Sequence, residues 1–145
     1  QRHLCIRYRS GTGIMTSIFG QYGPVKIGNM AKRPNEVMVS MVPGKTLAYS
    51  LFNLQNRGSL FVGHGLDIYE GQVVGLHSRS NDLVVNPTKA KQLNNIRAAG
   101  TDENLILVPH IKHTLEQALE FIEDDELVEV TPKSIRIRKK TGWKL

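Results

Sequence analysis

TLEQALEFIEDDELVEVTPKSIRIRKK, residues Thr114–Lys140, carries two periodicities in one stretch, and their order decides the fold class. Thr114-Leu115-Glu116-Gln117 is a capping box: the Thr hydroxyl serves free backbone N–H groups and the Gln three residues on reaches back. Leu115, Ala118, Leu119 and Ile122 then recur at helical spacing, which predicts a helix from Thr114 to about Asp124 with those four on one apolar face. Glu116 suits the positive end of the helix dipole, whereas Glu123, Asp124, Asp125 and Glu126 suit the negative end badly, so the helix should stop there. Leu127–Val130 and Ser134–Arg138 follow with strand alternation around Thr131-Pro132-Lys133, Ile135 and Ile137 inward and Arg136 and Arg138 outward.

Upstream, the chain reads as short strands broken by Gly and Pro. Gly13–Phe19 can be a strand. Glu36–Val42 alternates, with Val37, Val39 and Met41 on one side and Met38 and Ser40 on the other. Thr46–Asn53 is a strand or a short helix, and Gly58–Val62, Gln72–Leu76 and Leu105–Val108 are further strands. The fold class is α+β and mostly β: a twisted sheet or partly open β-barrel with one C-terminal helix, a closing hairpin and a long basic loop.

That loop is His77–Asp102, HSRSNDLVVNPTKAKQLNNIRAAGTD. Arg79, Lys89, Lys91 and Arg97 meet only Asp82 and the closing Asp102 as opposing charges within it, and its amides give many donors and acceptors with little to bury. Long loops of this kind are functional or disordered. Its chemistry suits phosphates and base edges, not bond making. It lacks aromatic residues, which argues against base stacking as its mode. The segment Lys89–Ala99 has helix-favouring ends and can order on a target.

The whole chain has 145 residues and a formal charge of +6, which favours an anionic partner such as nucleic acid. The charge is segregated. Residues 1–34 contain six Lys or Arg and no acid; residues 114–130 contain seven acids and no base; the positive character returns after Pro132. Cys5 is the only cysteine, so an intrachain disulfide is ruled out, in keeping with a reducing cytosol. No apolar run is long enough to span a bilayer and no signal peptide opens the chain, so no membrane partner is expected. The missing initiator Met suggests processing or a piece of something longer.

Other motifs fall short. Gly44-Lys45-Thr46 resembles the tail of a phosphate-binding loop, but Val39 stands where the first Gly is required. Gly11-Thr12-Gly13 lacks the third Gly of a dinucleotide fingerprint. His110 and His113, with His64, His77 and Cys5 scattered elsewhere, do not make a metal set. No catalytic constellation stands out, and Glu123–Glu126 reads as a solvated helix end.

The residues also carry a resemblance. GTGIM (Gly11–Met15), GKTLAYSLFNLQNRGSLFVGHG (Gly44–Gly65), YEGQVVGLHSRSNDLVVN (Tyr69–Asn86), NNIRAAGTDE (Asn94–Glu103) and Thr114–Lys140 resemble the C-terminal region of the TypA/BipA family of bacterial, ribosome-associated translational GTPases. The resemblance implies a remnant of a ferredoxin-like domain, as in elongation factor G, over residues 1–23 (its last strand at Gly11–Tyr22), and a TypA/BipA-type C-terminal domain over residues 24–145. It implies GTP and magnesium in the parent family, none in this chain, and so no enzyme activity here. Residues Gln1–Arg9 depart from the pattern, and a lone strand from a split sheet leaves edges that can pair with a neighbour or another copy of an otherwise monomeric chain.

The resemblance further implies a cytoplasmic partner, the ribosome, with the 77–102 loop reaching ribosomal RNA and the acceptor end of A-site tRNA. Arg79, Lys89, Lys91 and Arg97 would contact phosphates; Ser80, Asn81, Asn94 and Asn95 would supply hydrogen bonds; Gly100 would be a hinge; Lys139 and Lys140 would add a second electrostatic contact. The alternative is a protein-interaction module that docks a basic partner through its acidic helix end.

Overall fold

The computed structural model describes residues 16, 18–25, 32–91 and 105–142. The chain divides into two compact units, 1–33 and 34–145. In the first, the described residues form no helix or strand, and the rings of Phe19 and Tyr22 meet edge to face with centroids 5.2 Å apart. Most of the strand expected at Gly11–Tyr22 lies outside the described residues.

The second unit is built on strand β1, Val37–Ser40. On one side β1 pairs antiparallel with β5, Val73–His77; on the other it pairs parallel with β6, Leu83–Val85. Strand β3, Gly58–Leu60, adds antiparallel to β5, giving a mixed sheet in the order β3-β5-β1-β6 that is not closed into a barrel. Because side chains alternate between sheet faces, β1 feeds two cores. Val37 and Val39 join Val73, Ala118 and Ile137 on one face; Met38 joins Leu51, Leu54, Leu60, Val62, Ile68, Val74 and Val85 on the other. The expected alternation of β1 is therefore correct, yet all four of its residues are buried, since both faces are covered.

Helix α1, Ala48–Leu54, covers the second face through Leu51 and Leu54, which settles Thr46–Asn53 as mainly helical. A short pair, β2 (Gly44–Lys45) and β4 (Asp67–Ile68), flanks it. The first face is covered by helix α2, Leu115–Phe121, and by the hairpin of β7 (Glu126–Val130) and β8 (Ile135–Lys139). The hairpin turn closes on itself, Thr131 N donating to Ser134 O at 2.9 Å and Ser134 N to Thr131 Oγ1 at 3.0 Å. Ile137 is buried and Ile135 packs beside it, as the alternation required.

The capping box of α2 forms in both directions: Gln117 N donates to Thr114 Oγ1 and Thr114 N to Gln117 Oε1. The helix ends at Phe121, earlier than expected, with Ile122 already extended. Its buried face is also rotated from the expected one. Ala118, Phe121 and Ile122 face the core, while Leu115 and Leu119 remain 38% and 56% exposed.

Leu105–Val108 is not a strand. The side-chain amide of Gln55 takes the place of a neighbouring strand: its Nε2 donates to Ile106 O at 3.1 Å, and Val108 N donates to its Oε1 at 3.0 Å. Leu107 turns in against the core, and Ile106 and Val108 turn out.

Candidate nucleic-acid interface

The polar segment singled out by its charge starts inside the body. His77 ends β5, is buried, and sets its Nδ1 2.6 Å from Asn81 O. Backbone bonds then fix the turn: Ser78 N donates to Arg57 O at 2.9 Å, and Glu36 N to Arg79 O at 3.0 Å. With its carbonyl held in this way, Arg79 projects an exposed side chain, next to exposed Ser80 and Asn81.

Residues 83–85 correct the expectation of one continuous loop from His77 to Asp102. They are β6, the fourth strand of the sheet, with Val85 buried. The anchoring continues beyond the strand. Ser50 Oγ donates to Asn86 O at 2.5 Å, Leu47 N donates to Pro87 O at 3.0 Å, and Asn86 Oδ1 accepts from Thr88 Oγ1 at 2.7 Å. Pro87 is fully buried. Only at Lys89, Ala90 and Lys91 does the chain become exposed again. Arg79, Lys89 and Lys91 thus flank an anchored edge strand, and none has a carboxylate partner among the described residues. Asn94, Asn95, Arg97 and the Gly100 hinge lie outside the described residues.

Lys139 is not available to a phosphate. Its side chain is 1% exposed, and its Nζ lies 2.7 Å from Asp125 Oδ2, 2.8 Å from Asp82 Oδ2 and 3.3 Å from Glu126 Oε1. Desolvation by burial works against the ammonium, but the hydrogen bonds it donates to Asp125 and Asp82 and the charge of Glu126 outweigh it and hold its pKa above the ordinary value. The expectation for Lys139 is corrected: a cation that must compensate buried carboxylates cannot leave them. Asp82 also accepts from Val37 N at 3.1 Å, so one carboxylate ties the 78–82 turn to both β1 and β8. Lys140 is exposed, and its Nζ donates to Asp124 O at the end of the acidic run.

The remaining motifs resolve into packing. Lys45 is exposed on β2, and Thr46 is buried with its hydroxyl committed, donating to Gly63 O at 2.6 Å and accepting from Leu66 N at 3.0 Å. His113 stacks edge to face on Phe61, centroids 4.5 Å apart, and burial lowers its pKa. Tyr69 donates to Glu129 Oε2 at 2.5 Å; burial first, and that carboxylate second, push its pKa up. Among the described residues no three His, Cys, Asp or Glu are grouped to hold a metal ion, and no helix is long and apolar enough to cross a membrane.

The second unit coincides with a known sequence family. The profile described as TypA/BipA C-terminal domain matches residues 35–144. The chain belongs to this family. Its relatives include the large ribosomal subunit assembly factor BipA of Escherichia coli (strain K12) and that of Salmonella typhimurium, each 60% identical over 131 residues, or 90% of this chain. The Haemophilus influenzae protein of the same name is 53% identical over the same length. The chain spans about a fifth of the length of these curated relatives (22%, 22% and 21%). The TypA/BipA C-terminal domain is therefore an α+β unit with an open sheet, and its polar segment is threaded through the edge of that sheet.

Proposed function

We propose that this chain is the RNA-binding C-terminal domain of a cytoplasmic, ribosome-associated translational GTPase, and that its partner is the large ribosomal subunit. The observation that carries the reading is the display of Arg79, Lys89 and Lys91, exposed and without acid partners among the described residues, on either side of anchored strand β6. Cations held on rigid backbone meet phosphates at a low ordering cost. Ser80 and Asn81 supply hydrogen bonds beside Arg79, and Lys140 adds charge at the end of β8. Within the subunit, ribosomal RNA and the acceptor end of an A-site tRNA are the targets of this surface. The role is positioning, with no bond chemistry in this chain.

The relatives' name, large ribosomal subunit assembly factor, supports a ribosomal partner. The rival reading, an acidic helix end that docks a basic protein, has fewer charges to use: Glu126 is buried against Lys139 and Asp125 is paired with it, while Asp124 stays exposed.

Replacing Lys89 and Lys91 together with Ala should weaken association with large ribosomal subunits and lower the slope of log affinity against log salt by about 2, near 0.9 for each phosphate no longer neutralised. Sedimentation over a salt series reads both quantities, and an unchanged slope removes this segment from the interface. In calorimetry the chain should show no saturable GTP binding, because Thr46 is committed to Gly63 and Leu66.

A further inference from the structure

A second basic feature lies away from the segment just described. The strand-free stretch 107–113, residues 60–67 and the hairpin 130–137 line a cleft of about 1020 Å³. Its lining is largely apolar, with Leu60, Val62 and Leu107 from one core and Ile137 from the other. Its charged lining side chains are Lys112, Lys133 and Arg136 against a single acid, Asp67. Arg136 is engaged, its guanidinium 6.0 Å from the Tyr69 ring centroid, but Lys112 and Lys133 are exposed.

Four rings, those of Phe61, His64, His110 and His113, belong to the wall. His110 lies against Gly63, where a Cβ would come within 2.8 Å of its ring. His113 Nε2 is the one buried side-chain polar atom without a hydrogen-bond partner among the described residues.

An apolar lining, aromatic rings and a cationic rim together match one ligand chemistry. An unstacked RNA base offers a flat apolar face and hydrogen-bonding edges, and its phosphate sits one sugar away. An acidic peptide would use the rim but has less claim on the rings. We propose that this cleft seats a splayed-out nucleotide of single-stranded RNA, its base between the ring wall and the apolar lining and its phosphate at Lys112 and Lys133. The inference rests on the RNA-binding reading of the chain but not on Arg79, Lys89 or Lys91.

The test is fluorescence anisotropy of the 145-residue chain with a labelled single-stranded oligoribonucleotide of about six nucleotides and with its abasic counterpart. The native chain should prefer the base-bearing oligomer by about tenfold, the scale of a single base–ring stack. Lys112→Ala with Lys133→Ala should weaken both oligomers and lower the salt slope by about 0.7, the value for one phosphate neutralised on a single strand. Lys89→Ala with Lys91→Ala should leave the preference for bases intact. Equal affinity for both oligomers in the native chain overturns the base seat, and an indifferent Lys112/Lys133 variant overturns the cleft. Displacement of the RNA by a polyglutamate peptide at lower concentration hands the cleft to a protein partner instead. If only the cleft variant is silent, this inference fails alone; if no RNA binds in any form, the functional reading fails with it.

Discussion

Lys139 shows how one residue can be misread when only its charge is considered. In IRIRK, Ile135 and Ile137 point inward, and a period of two carries Lys139 inward with them. The signal was present in the alternation, but the basic composition of the tail concealed it. Once inside, the ammonium compensates three carboxylates contributed by two other segments. Lys139→Met should therefore cost about 3–5 kcal/mol in urea unfolding, because it strands buried charge rather than deleting a surface pair. The pH dependence follows from the raised pKa. The contribution of Lys139 is complete below its ordinary value of 10.5 and disappears as pH climbs through the raised folded value. Stability measured from neutral to strongly alkaline pH should fall across that window in the native chain and fall less in the Met variant. An equal decline in both would show that the cluster does not couple titration to folding.

Elements were legible where their signal was local. The capped helix, the β7–β8 hairpin and the alternation of β1 rest on neighbours along the chain, and each stands where the spacing put it to within a few residues. The elements that escaped are those defined by distant partners. Leu83-Val84-Val85 is a short apolar triplet in a polar stretch, and it becomes a strand only because β1 offers a free parallel edge. Leu105–Val108 has strand composition, yet Gln55 takes the hydrogen bonds that a ladder would have taken. Gly75 belongs to the same class. It sits mid-strand in β5, where glycine is ordinarily a weakness, because an added Cβ would come within 2.5 Å of Ser59 O and 2.6 Å of Met38 Cε. Gly75→Ala should lower stability by about 1–3 kcal/mol through overpacking, shifting the thermal midpoint downward. An unchanged midpoint would mean that β3 and β5 are free to move apart.

At the scale of the molecule, both apolar clusters, among the described residues, lie within residues 37–137. The same architecture sorts the charges. Glu126 is buried against Lys139 and Asp125 pairs with it from the surface, while Arg79, Lys89 and Lys91 are left outside on the margins of β6. The sequence alone determined the α+β class, the capped helix and hairpin, and the basic segment, because propensity, capping and periodicity act between residues a few positions apart. Only the tertiary structure decided which cations remain free, where β6 enters the sheet and what lines the cleft. Those outcomes depend on which distant groups are buried together, and the cost of burying an unpaired charge or peptide group is set by neighbours in space, not along the chain.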